Sequence, residues 1–226
     1  MALTPELVAR VHRDVEDTGQ EEGVSYHTDE DYEAWVRTIL AQRDPSTPMW
    51  LFAYGSLIWK PEIQHSEERA GTARGWHRSF CLRQTRWRGT KEQPGLMMAL
   101  DRGGQCRGVL YRLPETDLEA QLGKLFRREF TLKPPNNIPR WITVETDEGP
   151  VRAITFVMNR KAKAYAGRLP PEEIADVLAR ACGHWGPGAE YLRSTVAQRE
   201  ERGIRDRQLW RLQALVAERI RRDCPD

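Results

Sequence analysis

Leu118, Leu122, Leu125 and Phe126 share one face of a helix predicted within residues 114–130 (PETDLEAQLGKLFRREF), and the next position on that apolar stripe is Glu129. A carboxylate stands where a leucine is expected. Burial disfavours the charged form, and the partial negative charge of a helix C-terminus acts in the same direction. The carboxyl pKa therefore rises, which suits the group to exchange a proton near neutral pH. On the stripe alone two roles stay open: a general acid/base, or a carboxylate paired with Arg127, Arg128 or another arginine.

The second chemical feature is residues 49–60, MWLFAYGSLIWK. Met49 to Tyr54 are apolar or aromatic without a charge, which predicts a strand buried on both faces. Gly55-Ser56 breaks it, and a small, flexible tip exposes backbone N–H groups that can hold an oxygen-bearing ligand. Residues 74–88 (RGWHRSFCLRQTRWR) carry five arginines and no acid, with Trp76, Phe80 and Trp87 between them. Such interleaving can bind single-stranded nucleic acid, but it also fits a strand with one wet face whose arginines meet acidic neighbours, and the balanced total charge favours the latter.

Other catalytic signatures are missing. There is no GxSxG around Ser56, no HExxH, no GxxxxGK and no GxGxxG. The five histidines have no partner at ligand spacing, and the four cysteines form no CxxC pair, so neither a structural metal nor a disulfide framework is expected. With 35 Lys+Arg against 33 Asp+Glu the net charge is +2, which excludes a globally basic nucleic-acid or membrane binder. No apolar run approaches the roughly 18 residues that span a bilayer, and a soluble, cytoplasmic protein is expected.

The elements that must position these residues follow from periodicity. Thr4-Pro5 starts a helix with Leu3, Leu7, Val8, Val11 and Val15 on one face. A second helix opens at Thr28, places Tyr32, Trp35, Val36, Ile39 and Leu40 inward, and stops before Asp44-Pro45. Residues 66–72 are a strand or loop. Segments 95–100 and 108–111 predict two strands joined by a hairpin turn at 101–104, and 141–146 with 151–158 predict a further pair. Three helices follow. The first opens at Pro170-Pro171-Glu172-Glu173 and runs through Ile174, Val177, Leu178 and Ala181 to a stop at Gly183; the second covers about 189–202; the third is capped by Asp206 and carries Leu209, Leu212, Leu215, Val216 and Ile220 inward. The expected fold is α+β, a small mixed or antiparallel β-barrel with flanking helices. Residues 1–48 are expected to form a helical extension, and residues 49–226 the main domain.

Tyr54-Gly55-Ser56-Leu57-Ile58-Trp59-Lys60-Pro61 resembles the signature loop of the ChaC-type γ-glutamylcyclotransferases. The match continues in order through Gly75-Trp-His-Arg-Ser-Phe80, Gly108-Val-Leu-Tyr-Arg-Leu-Pro114, Arg127-Arg-Glu129, Tyr165-Ala-Gly-Arg-Leu169 and Gly186-Pro-Gly-Ala-Glu-Tyr-Leu192. What the resemblance implies is cleavage of the γ-glutamyl amide of glutathione by intramolecular cyclisation, releasing 5-oxoproline and Cys-Gly without a cofactor. Glu129 falls at the family's catalytic Glu position. Phe52, Ala53, Tyr54, Gly55, Ser56 and Leu57 would hold the γ-glutamyl moiety, with Arg78 and Tyr191 as further substrate contacts. Where relatives carry a Gly-Tyr-type segment after the Glu, this chain has Phe130 followed by Thr131-Leu-Lys-Pro-Pro-Asn-Asn137. That departure keeps a cyclotransferase for another γ-glutamyl amide in view, beside a non-catalytic γ-glutamyl or RNA binder. The expected partner is a small molecule, with neither nucleic acid nor membrane. The oligomeric state is left open.

Overall fold

Thr4 accepts a hydrogen bond from the Leu7 amide and starts α1 (Pro5–Arg10), and Thr28 forms a capping box with Asp31 that starts α2 (Asp29–Ala41). The computed structural model describes residues 1–204 and 206–224. Between the two helices lies the short strand β1 (Ser25–Tyr26). After them come β2 (Trp50–Ala53), a 3-10 turn (Ser56–Ile58), β3 (Glu67–Gln84), β4 (Gly95–Arg112) and α3 (Leu118–Glu129). The chain continues through β5 (Leu132–Lys133), β6 (Asn137–Thr146), β7 (Gly149–Met158), α4 (Pro171–Leu178), β8 (Cys182–Gly183), β9 (Gly186–Pro187), α5 (Gly188–Glu201) and α6 (Arg207–Asp223).

The chain divides into two compact units. One comprises Met1–Glu21, Ser79–Met98 and Lys163–Asp226; the other comprises Glu22–Arg78 and Ala99–Ala162. Both therefore draw on residues from either side of Pro48. In the first unit α4, α5 and α6 pack together with α1, and the Leu3 amide donates to Gln213 Oε1 at 2.8 Å. Asp206 caps α6 by accepting from the amides of Gln208 and Leu209.

The second unit is built on a closed barrel with strand order β2-β4-β3-β6-β7. Trp50, Phe52 and Tyr54 alternate inward along the second strand and pack with Leu100, Leu110, Ile142, Val144 and Val157. The intervening Leu51 and Ala53 are fully buried too, so the charge-free pattern of this strand reflects apolar cover on both faces. On the outside of the barrel, α3 lies against β7, with the Phe126 and Phe156 rings edge to face at 5.9 Å.

The predicted hairpin at 101–104 does not form. β4 is one strand of 18 residues, and Gly103 and Gly104 sit inside it at φ +105° and +65°. Asp101 is buried and bonded to Arg160 at 2.6 Å, while the Gly103 carbonyl meets His77 Nδ1 at 3.0 Å. The glycines thus accommodate a local distortion in a continuing strand, the use that positive-φ glycine has in a bulge. Gly75, at φ +78°, plays the same part within β3, which joins the segments beginning at residues 66 and 74 into one strand. The pair predicted at 141–146 and 151–158 forms, as β6 and β7 joined by a tight turn. Helix α1 ends before Val15, and α4 ends at Leu178, leaving Ala181 outside it and Gly183 in a two-residue strand.

Gly108 lies against the tip of β2. A Cβ there would meet the Ala53 carbonyl oxygen at 2.3 Å and the Phe52 ring at 2.7 Å. Gly108→Ala is expected to destabilise the protein by about 1–3 kcal/mol, because backbone cannot yield as a side-chain end would. Urea unfolding checks this, and a midpoint equal to that of the parent would contradict the packing described.

Candidate active site

The strand tip is held from several sides. The Phe52 carbonyl accepts from Thr155 Oγ1 at 2.9 Å, and Ala53 pairs with Val109 across the barrel wall. Beyond it, Ile58 N–H donates to the Gly55 carbonyl (3.0 Å), while Trp59 and Lys60 N–H donate to the Ser56 carbonyl (3.1 and 2.8 Å). The Ile58 carbonyl accepts from the buried Tyr111 hydroxyl at 3.2 Å. No side chain caps the 3-10 turn. Its leading amides have no acceptor within the turn itself, so Gly55-Ser56 presents donors of the kind an anionic or carbonyl oxygen accepts from. Gly55 and Leu57 are buried and Ser56 is half-buried.

Glu129 closes α3. The inward residues before it, Leu118, Leu122, Leu125 and Phe126, are buried, and the Glu129 side chain is 14% exposed. Desolvation pushes its carboxyl up to about 7; Arg128 beside it pulls the other way, and the Glu62 carboxylate adds to the rise. Arg128 is a shared cation. Its Nε lies 3.3 Å from Glu129 Oε1, its Nη1 lies 3.4 Å from Glu62 Oε2, and the same Nη1 donates to the Lys60 carbonyl. It therefore fastens the end of α3 to the segment that follows the 3-10 turn. Glu62 sits at φ +53°, a left-handed conformation that costs a non-glycine residue about 1–2 kcal/mol, and Lys60 Nζ holds its carboxylate at 2.9 Å.

Strand register places Glu129 and the Gly55 tip at one end of the barrel. β2 and β7 run parallel with Leu51 opposite Ile154, so counting forward in step brings Gly55 level with Met158. Met158 is opposite Asn137, whose side-chain amide donates to the Glu129 carbonyl at 3.5 Å. Neighbouring strands lie about 4.8 Å apart. Asn137 is buried, and its Oδ1 has no protein partner; nor has the buried indole N–H of Trp59.

Arg78 donates to the Arg107 carbonyl (2.7 Å) and meets Cys106 Sγ at 3.0 Å. Arg107 is two residues before Val109, the partner of Ala53, so Arg78 belongs to the same end of the barrel. Tyr191 lies in the other unit, buried, with the Phe80 ring edge to face at 6.1 Å and Arg88 at 6.0 Å from its ring. Of the arginine-rich segment, Arg74 pairs with Glu145, Arg86 with Asp17 and Arg88 with Glu190. Among the described residues no group of three or more His, Cys, Asp or Glu is placed to hold a metal ion, and no helix is long and apolar enough to cross a membrane.

Sequence patterns do not single out Glu62 or Asn137 as site residues, and Trp59 enters only as part of the signature loop. Glu62 follows a proline in a polar stretch, and Asn137 closes the segment 131–137 that departs from the family pattern.

Residues 49–219 match the family model described as ChaC-like protein. The chain belongs to the ChaC-like family. It is 39% identical over 194 residues to the glutathione-specific γ-glutamylcyclotransferase of Escherichia coli (strain K12), covering 85% of this chain and 83% of that protein. It is 32% identical over 161 residues to glutathione-specific γ-glutamylcyclotransferase 1 of Mus musculus, covering 66% and 68%. The fold is similar to the crystal structure of a yeast γ-glutamylcyclotransferase specific to glutathione, with a TM-score of 0.69 at 19% identity over 77% of this chain and 97% of that one.

The raised carboxyl of Glu129 has a consequence for stability. A carboxyl whose pKa is higher folded than unfolded makes the native state hold its proton more tightly, so stability falls as pH rises from about 4.5 through about 7. Glu129→Gln removes that penalty. The variant is expected to match the parent near pH 4 and to exceed it at pH 8 by up to about 3 kcal/mol, at 1.36 kcal/mol per pKa unit. Denaturant unfolding at both pH values checks this; a parent that is the more stable protein at pH 8 would contradict the burial argument.

Proposed function

We propose that this chain is a glutathione-specific γ-glutamylcyclotransferase in which Glu129 is the general acid/base. The observation that carries the proposal is a mostly buried carboxyl with its pKa near 7, joined through Arg128 to the loop that follows a strand tip rich in backbone donors. The names of the relatives in E. coli and mouse support the substrate.

The reaction needs no protein nucleophile. The α-amine of the γ-glutamyl group attacks its own γ-carbonyl, forming the lactam C–N bond, and the bond to the cysteinyl nitrogen breaks. Because the nucleophile is already tethered, the protein's task is to fold the substrate into reactive shape. The α-ammonium gives up two protons and the departing nitrogen gains two, so Glu129 carries protons between them and ends as it began. Proton matching explains the burial: a base near 7 lies much closer to the pKa of an α-ammonium than an ordinary carboxylate near about 4.3 does, so the proton transfer costs less. Backbone N–H groups at Gly55 and Ser56 orient the substrate's oxygens and stabilise the oxyanion that develops on attack. Phe52, Ala53, Tyr54 and Leu57 form the strand and turn that present those amides, and Arg78 adds a cation at the same end of the barrel.

A cytosolic location, where glutathione is kept reduced, accords with four cysteines that show no disulfide framework in their spacing. Nucleic-acid binding by residues 74–88 is disfavoured, since Arg74, Arg86 and Arg88 spend their charge on Glu145, Asp17 and Glu190.

Incubation with glutathione is expected to yield equimolar 5-oxoproline and Cys-Gly. The acid limb of kcat/KM should titrate near pH 7, rising with pH as Glu129 ionises, and Glu129→Gln should lose roughly 10²- to 10⁴-fold in kcat. A panel of γ-glutamyl amides on which the parent forms no 5-oxoproline would overturn the proposal. Preference for another γ-glutamyl amide over glutathione would overturn only the substrate.

A further inference from the structure

Residues 25–35 lie outside the stretch matched by the family model, yet they hold the chain on both sides of Glu129. Asp29 Oδ1 accepts from Arg127 Nη2 at 2.5 Å and Nε at 3.1 Å. The Tyr32 hydroxyl, buried, donates to the Phe130 carbonyl at 3.0 Å, and the His27 amide donates to the Thr131 carbonyl at 2.9 Å. Tyr26 pairs with Leu132 and Ser25 with Lys133, and Asp31 accepts from Lys133 Nζ at 2.7 Å. The Phe130 ring is 4% exposed and enclosed by His27, Tyr32 and Trp35 from this segment and by Phe126 and Phe156 from behind.

Five of the seven residues 127–133 are thus gripped by the N-terminal segment. The other two, Arg128 and Glu129, are those whose side chains meet each other, with Arg128 reaching Lys60 and Glu62. The last turn of a helix ordinarily frays, because its carbonyls lack intrahelical donors. Here the two carbonyls just past the helix end receive a hydroxyl and an amide from 98 and 104 residues upstream in the chain.

We propose that β1 and the first turns of α2 are a splint that fixes Glu129 in its working position by holding the chain on both sides of it, with Tyr32 as the main positioning residue. This rests on the assignment of Glu129 as the acid/base. A base displaced by even 1 Å loses much of its effect on a tethered reaction, which gives the splint a kinetic value separate from its contribution to stability.

Tyr32→Phe in the full chain removes one hydroxyl and keeps the ring. It is expected to lower kcat for glutathione roughly three- to tenfold with KM within about twofold. A carboxyl displaced from its desolvated position has a pKa closer to the ordinary value, so the acid limb of kcat/KM should move to lower pH by about half a unit or more. Phe130→Leu, which loosens the aromatic enclosure, should act in the same direction. Asp29→Asn, at an exposed pair, should do so more weakly and serves where a core variant fails to fold. A purely structural role would lower the unfolding temperature and leave kcat and the acid limb unchanged well below it. Parent values of both in all folded variants would overturn the splint while leaving the cyclotransferase assignment intact; a parent chain inactive on every γ-glutamyl amide would overturn both.

Discussion

Water reaches little of Glu129, because the helix that ends on it turns Leu118, Leu122, Leu125 and Phe126 into the fold and carries the carboxylate along the same line. That desolvation is the condition on which the proposed chemistry depends. An exposed glutamate would be a poor acceptor for an ammonium proton at neutral pH. A glutamate fully paired with an arginine would be no better, since an adjacent cation favours the charged form and weakens the base. Arg128 stands between these limits. It is close enough to offset part of the burial, yet its guanidinium also serves Glu62 and the Lys60 carbonyl, and the balance leaves the carboxyl near 7. The same cation links the end of the helix to the loop beyond the strand tip, so electrostatic tuning and placement come from one side chain.

The barrel supplies the other half of the placement. Because β2 and β7 are parallel neighbours and β6 returns antiparallel beside β7, the tip at Gly55 and the start of β6 at Asn137 come to the same end. Asn137 then touches the residue that ends α3. No single element makes the site. A mixed sheet is what brings together a strand end and a helix end some 75 residues apart in sequence.

Features governed by local pattern were legible in the sequence. The stripe leading to Glu129, the charge-free strand through Phe52, the N-caps at Thr4, Thr28 and Asp206, and the turn between β6 and β7 all depend on neighbours within a few residues. Where the pattern misled, a longer-range partner decided. Asp101-Arg-Gly-Gly104 has turn composition, but the Asp101–Arg160 pair and the facing His77 keep it within one strand. No local pattern marks Asn137, and only the pairing of β6 with β7 places it beside Glu129. The splint formed by residues 25–35 was equally hidden, since an amphipathic helix announces that it packs without saying against what.

The most direct measurement is a carboxyl-carbon NMR titration of Glu129, assigned by comparison with Glu129→Gln, in the substrate-free protein. A midpoint near pH 7 is expected, well apart from the exposed glutamates. A midpoint in the ordinary range near pH 4.5 would mean that the carboxylate is solvated and that Glu129 is not tuned by burial to act as the base.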